Sequence, residues 1–234
     1  MYRHFDNSPY GTALAGAAHY DLTVAKTGQL DALIALERIG TRLTFARNDE
    51  IYSEGDSSGC WYKVISGTVR ICKLLADGRR HIAEFCFSGD CFGIGNESER
   101  ICAAEAVDDV IVMRFRLGVT EQLIDQNPMV ARLVREAMLR NLTSAHGRSL
   151  LLGRMTAPER VAAFLLEICE RRGRTKSLDL PMSRNDIADY LGLTVETVCR
   201  ILSTFRRNGI IAVSNAHRIE LLDRAALEEI GETH

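Results

Sequence analysis

The 234-residue chain has no run of about 18 apolar residues, which excludes a membrane-spanning helix. Its opening stretch, MYRHFDNSPYGTALAGAAHY, has no continuous apolar segment and includes Asp6, so a secretory leader is not expected. The seven cysteines are odd in number, irregularly spaced and absent from the first 59 residues. Without a leader they are expected to be reduced thiols in a cytoplasmic protein. The formal net charge is only −2, which argues against a polybasic coat for nucleic acid. There is no internal repeat and no low-complexity tract. There is also no nucleophile–base pair, no metal-ligand spacing and no phosphate-binding loop, so no enzymatic activity, metal or cofactor is expected.

What is present suffices for a sizeable core. Hydrophobic residues make up 46% and charged residues 26%, in a length that suits one large or two ordinary domains. The weak net charge hides a local asymmetry: residues 154–222 hold 11 Lys and Arg against 8 Asp and Glu. The acidic residues of the last dozen positions cancel that excess.

Residues 1–27 show no period and are expected to form a flexible N-terminal arm. GQLDALIALER, from Gly28, spaces Leu30, Leu33, Ile34 and Leu36 as a short helix. From 42 to 116, short apolar runs alternate with turn signals at Ser66-Gly67, Asp77-Gly78 and Ser88-Gly89-Asp90, a pattern that predicts a β-sandwich or barrel. AAEAVDDVIVMRF adds two strands around Asp108-Asp109. After Pro128 the period becomes helical, with Val130, Leu133, Val134, Ala137, Met138 and Leu142 on one stripe. Such a stripe can lie on the barrel or form a seam with a second copy of the chain. Its reach beyond what a small barrel covers favours the seam. The predicted organisation is α+β: a β-barrel effector-like domain over 28–127, a dimerisation helix over 128–153 and a DNA-binding domain over 154–234. Within that last domain, PERVAAFLLEI is a helix, and SLDLPM is expected to be a short extended link.

The segment SRNDIADYLGLTVETVCRIL, residues 183–202, carries the functional signal. Ser183 and Asp186 form a capping box with Asp in place of Glu. Gly192 sits where the chain must turn, and Thr194 suits the N-cap of a second helix. On that helix Val198, Ile201, Leu202 and Phe205 recur at three and four and form a buried stripe. The opposite face shows Val195, Glu196, Cys199, Arg200 and Ser203. A solvated helix with one ordinary i, i+4 ion pair would look similar. Three neighbours favour DNA instead: paired short helices around a glycine turn, a hairpin AVSNAHRIELL with a polar tip at Asn215, Ala216 and His217, and Arg206 with Arg207 at the helix end.

FARNDEIYSEGD, WYKVISGTVRI and FSGDCFG resemble the effector-domain barrel of the CRP/FNR transcription regulators, and PERVAAFLLEI with MSRNDIADYLGLTVETVCRIL resembles their winged helix-turn-helix. The resemblance spans roughly residues 40–225, and VETVCR is similar to the FNR and FixK branches. It implies a cytoplasmic homodimer that binds a palindromic double-stranded DNA site with TTGA-type half-sites, contacts RNA polymerase and activates genes of low-oxygen or nitrogen-fixation type. Arg200 would bond guanine, Glu196 would accept from the paired cytosine and hold Arg200, and Val195 would meet a thymine methyl. Ser183, Arg184, Thr194 and Thr197 would contact phosphates.

The chain departs from the cyclic-nucleotide receptors at Arg100-Ile101, where Ile replaces the phosphate-binding Ser, so no cyclic nucleotide is expected. It also lacks the N-terminal cysteine cluster of the iron–sulfur members. The alternative is a small-molecule or redox sensor. Cys199 on the DNA-facing side is the candidate redox position, and Ser183 would be a second if the native protein carried Cys there.

Overall fold

A computed structural model of the chain describes residues 27–95, 98–171, 173, 176–215 and 217–231. The expected N-terminal arm lies, apart from Thr27, outside the described residues. The elements begin with α1 (Thr27–Ile39), β1 (Thr41–Phe45), β2 (Glu50–Tyr52), β3 (Cys60–Ser66), β4 (Val69–Leu74) and β5 (Arg80–Cys86). They continue with β6 (Cys91–Phe92), β7 (Ala103–Ala106), β8 (Val110–Arg116), α2 (Leu117–Gln126), α3 (Pro128–Arg154) and α4 (Ala157–Arg171). The chain closes with β9 (Ser177–Asp179), α5 (Arg184–Leu191), α6 (Val195–Arg207), β10 (Ile211–Asn215), β11 (Arg218–Leu221) and α7 (Arg224–Gly231). Two compact units result, 27–139 with 181–194 and 140–180 with 195–231.

The first unit is a jelly-roll-like sandwich, with α1 and α3 packed on one sheet and α5 on β5 of the other. Its strands form two four-stranded sheets, β1-β8-β3-β6 and β2-β7-β4-β5, rather than one closed ring. Strand alternation explains why both faces of the first sheet are apolar. Val110 and Val112 of β8 point inward with Val64, Phe92 and Tyr62, meeting Tyr52, Val69, Cys86, Ala104 and Ala106 of the other sheet. Phe115 and Trp61 point outward and pack under Ala32 and Leu36 of α1 and Val130, Leu133, Val134 and Ala137 of α3. Trp61 stacks on Phe115 with centroids 4.1 Å apart, and its indole N–H donates to Thr120 Oγ1 at 3.1 Å, so the polar edge of the buried ring is satisfied. The stripe on α3 is thus divided: its first four residues cover the sheet, while Met138, Leu139 and Leu142 stand about half exposed on the single chain.

In the second unit, α4 buries Val161, Phe164, Leu165 and Ile168, and α6 buries Val198, Ile201, Leu202 and Phe205. A three-stranded sheet, β10-β11-β9, completes it. The stretch SLDLPM, expected as a short extended link, is extended, and its first half is a paired strand. Ser177–Asp179 is a strand paired antiparallel to β11, with Leu178 opposite Ile219, both fully buried. Three residues are too few to show a period-two signature.

The Ser66-Gly67 turn is sterically exacting. Gly67 has φ +83°, and a Cβ there would lie 2.4 Å from the Asp109 carbonyl oxygen and 2.9 Å from the Val110 Cα. Both obstacles are backbone, which cannot rotate away. Gly67→Ala is therefore expected to destabilise the sandwich by about 1–3 kcal/mol. A thermal melt followed by the fluorescence of the single Trp61 would show it; an unchanged midpoint would contradict this account of the turn.

Candidate nucleic-acid interface

Helix α5 starts on a complete capping box. Ser183 adopts extended φ/ψ of −73°/166°, and its hydroxyl accepts from the Asp186 amide at 3.1 Å. Asp186 Oδ2 accepts in return from the Ser183 amide at 3.0 Å and its hydroxyl at 2.8 Å. The helix ends at Gly192, whose left-handed φ of 62° lets its N–H return to Ala188. Leu193 N–H bonds the same carbonyl at 3.0 Å, and α6 begins two residues on.

On α6 the stripe predicted to be buried is buried, so the opposite face is fixed by exclusion. Glu196, Cys199, Arg200 and Ser203 are exposed, and Val195 and Thr197 half-buried. Glu196 and Arg200 lie one turn apart on this face. Thr194 is exposed, while Ser183 and Arg184 are half-buried. The chain leaves α6 at Gly209, with φ +72°, and enters the β10–β11 hairpin. At its tip the His217 amide donates to Asn215 Oδ1 at 2.8 Å. His217 Nδ1 lies 2.9 Å from the Leu180 carbonyl oxygen; that oxygen can only accept, so Nδ1 carries the proton.

Asp186 has a second set of partners that the sequence did not reveal. Its Oδ1 meets Arg80 Nη2 of β5 at 2.5 Å and Arg70 Nη1 of β4 at 3.4 Å. Burial alone would raise its pKa. The hydrogen bonds from Ser183 and the two guanidinium groups outweigh burial and hold the carboxyl below its ordinary range.

The sandwich interior encloses a second polar group. Arg100 is buried there at 7% exposure. Its guanidinium lies over the Tyr52 ring, 4.4 Å from the centroid, and it donates to the carbonyls of Gly93, at 2.6 Å, and Cys60. Gly93 permits the approach: a Cβ there would stand 2.9 Å from Arg100 Nη1. Burial also raises the Tyr52 and Tyr62 phenols, so both rings are neutral. Ile101 is 63% exposed, so the neighbour of Arg100 offers no hydroxyl to the interior. Of the barrel cysteines, Cys72, Cys86 and Cys91 are buried and Cys60 and Cys102 half-buried. Among the described residues no group of His, Cys, Asp and Glu could hold a metal ion.

A jelly-roll unit followed by a long helix and a winged helix-turn-helix defines a class, the two-domain DNA-binding regulators of the cyclic-nucleotide-receptor type. Family models bear this out: a cyclic nucleotide-binding domain matches residues 42–127 and a Crp-like helix-turn-helix domain matches residues 159–230. The nitrogen fixation regulation protein FixK of Bradyrhizobium diazoefficiens is 39% identical over 214 residues, 89% of this chain and 90% of that protein. FixK of Rhizobium meliloti is 38% identical over 194 residues, 82% of this chain and 88% of that protein. The solved structure of FixK2 from Bradyrhizobium japonicum, 40% identical, superposes with a TM-score of 0.79 over 84% of this chain and 99% of that one. The chain belongs to the CRP/FNR family of transcription regulators, on its FixK-like branch. It is a DNA-binding regulator of the activator kind and not an enzyme. No helix among the described residues is long and apolar enough to cross a membrane.

Because the Asp186 pKa is depressed on folding, its contribution to stability is present above the ordinary carboxylate value of about 3.9 and is lost as pH falls through the lower folded value. The melting temperature is therefore expected to drop steeply below about pH 4. Asp186→Asn, less stable at neutral pH, should show a shallower drop. Parallel acid profiles for the two proteins would contradict this assignment.

Proposed function

We propose that the chain is a transcription activator that binds a palindrome of TTGA-type half-sites as a homodimer, without a small-molecule effector. The observation that carries the reading is the outward face of α6. A carboxylate, a planar cation and a half-exposed aliphatic group stand within about two turns of the helix start. Arg200 forks onto guanine O6 and N7, Glu196 accepts from the paired cytosine and comes to brace Arg200, and Val195 meets a thymine methyl. Ser183, Arg184, Thr194 and Thr197 lie against phosphates and set the register. The half-exposed Met138, Leu139, Leu142 and Leu150 supply an apolar seam for a second copy. Arg100, held by two carbonyls and an aromatic face of its own chain, and Ile101, turned to solvent, support operation without a cyclic nucleotide. The relatives named for nitrogen fixation regulation support a role at low-oxygen or nitrogen-fixation genes, where the bound dimer contacts RNA polymerase.

A mobility-shift assay on two TTGA-type half-sites about one helical turn apart is expected to show tight binding with nothing added. Arg200→Ala should cost about 1–3 kcal/mol and relax the guanine position, whereas Arg184→Ala should weaken specific and random duplexes alike. Binding only after a small molecule is added would contradict the effector-free reading.

Cys199, exposed on the same face, favours a second reading in which oxidation of its sulfur places bulk or charge against the groove. Ser183 would join it only as Cys; as Ser its hydroxyl is engaged in the capping box. Peroxide is expected to abolish the shift for the native chain and spare Cys199→Ala. Identical loss in both would rule this reading out.

A further inference from the structure

Within the first unit, five charged side chains from four elements form a single network. Arg70 of β4 reaches Glu105 of β7 at 2.6 Å and Asp186 of α5 at 3.4 Å. Arg80 of β5 reaches Asp186 at 2.5 Å and Asp189, one turn further along α5, at 2.8 Å. The Arg70 and Asp186 side chains are 11% and 6% exposed, and Arg80 and Asp189 about 30%. Phe85 of β5 packs on Tyr190 of α5 with centroids 5.1 Å apart, so an apolar contact flanks the charges. The same Asp186 carboxylate uses its other oxygen to close the capping box. One group therefore starts the helix and ties it to β4 and β5.

The charge balance bears on function. Asp186 and Asp189 place two negative charges on the helix whose first residues, Ser183 and Arg184, are assigned to DNA phosphates in the reading above, on which this inference rests. Uncompensated, they would repel the phosphate backbone across a few ångströms of poorly screening protein. Among the described residues, Arg80 pairs with both. Its loss would leave Arg70 facing Glu105 and Asp186 together and Asp189 with nothing from β5.

We propose that Arg80 is a positioning residue for DNA binding. Its guanidinium holds α5 on the β4–β5 strands and offsets one of the two charges of Asp186 and Asp189, so the sandwich sets the phosphate affinity of the helix-turn-helix. Base readout belongs to α6 and does not pass through this contact.

The test uses the full chain. Arg80→Gln should lower affinity for the TTGA-type palindrome and for random duplex by the same factor, roughly 3- to 30-fold at low salt. Arg80→Lys, which keeps the charge, should retain most of the affinity. Arg80→Gln combined with Asp189→Asn should regain it, because the uncompensated carboxylate is gone; a merely structural role for Arg80 would not be rescued this way. Amide hydrogen exchange without DNA should quicken across 184–191 in Arg80→Gln and stay unchanged in β3 and β8. Native-like binding by Arg80→Gln, a loss confined to the palindrome, no recovery with Asp189→Asn, or unchanged exchange in α5 would each overturn the proposal. A native chain that shifts neither duplex would overturn the DNA reading itself, while the exchange comparison still decides whether Arg80 holds α5.

Discussion

The burial of one side of α6 is the constraint on which the rest depends. Val198, Ile201, Leu202 and Phe205 leave water together, each worth about 1.5–3 kcal/mol as an upper estimate. No rotation of the helix about its axis keeps that gain, so the outward set is fixed as Val195, Glu196, Cys199, Arg200 and Ser203. On the proposed reading, the chemistry presented to DNA is a consequence of core packing: a residue exchanged on the outward face would alter what is read, whereas one exchanged on the inward face would remove the reader.

The same economy governs the sandwich. A cation buried among tyrosines would ordinarily be costly, yet Arg100 is supplied with carbonyls from Gly93 and Cys60 and the face of Tyr52. The partners come from the chain itself, so the interior holds its shape around its own guanidinium. Asp186 follows a similar rule: a buried carboxylate is tolerable because its two oxygens are divided between the start of α5 and two arginines. Asp186 fills both its oxygens, whereas Arg100 pairs its two terminal nitrogens and leaves Nε buried without a partner; in both cases removing one partner is expected to cost more than the pair contributes.

Much of this was legible in the residues alone. The period of α6, the Ser183–Asp186 box, the turns at Gly67 and Gly192 and the alternating strands all follow from spacing. Each is set by contacts within a few residues or by a strong period. What could not be read was either short or long-range. Strand β9 is too brief to carry a signature, and only its pairing with β11 makes it a strand. The β4 and β5 arginines lie more than a hundred positions from the α5 carboxylates they meet, and nothing in the local pattern of RICKL or RHIAEF distinguishes them from solvated charges. Glu196 and Arg200, by contrast, follow from spacing alone, which placed both on the exposed face of α6.

The central claim, that Arg200 reads guanine, is tested most directly by a cycle between one side chain and one atom of DNA. Affinities of the native chain and of Arg200→Ala would be measured on the palindrome with guanine and with 7-deazaguanine in each half-site, which removes the N7 acceptor. The account predicts that the native chain loses affinity on the deaza duplex and that Arg200→Ala shows almost no further loss. Equal losses in the two proteins, or none in the native chain, would contradict it.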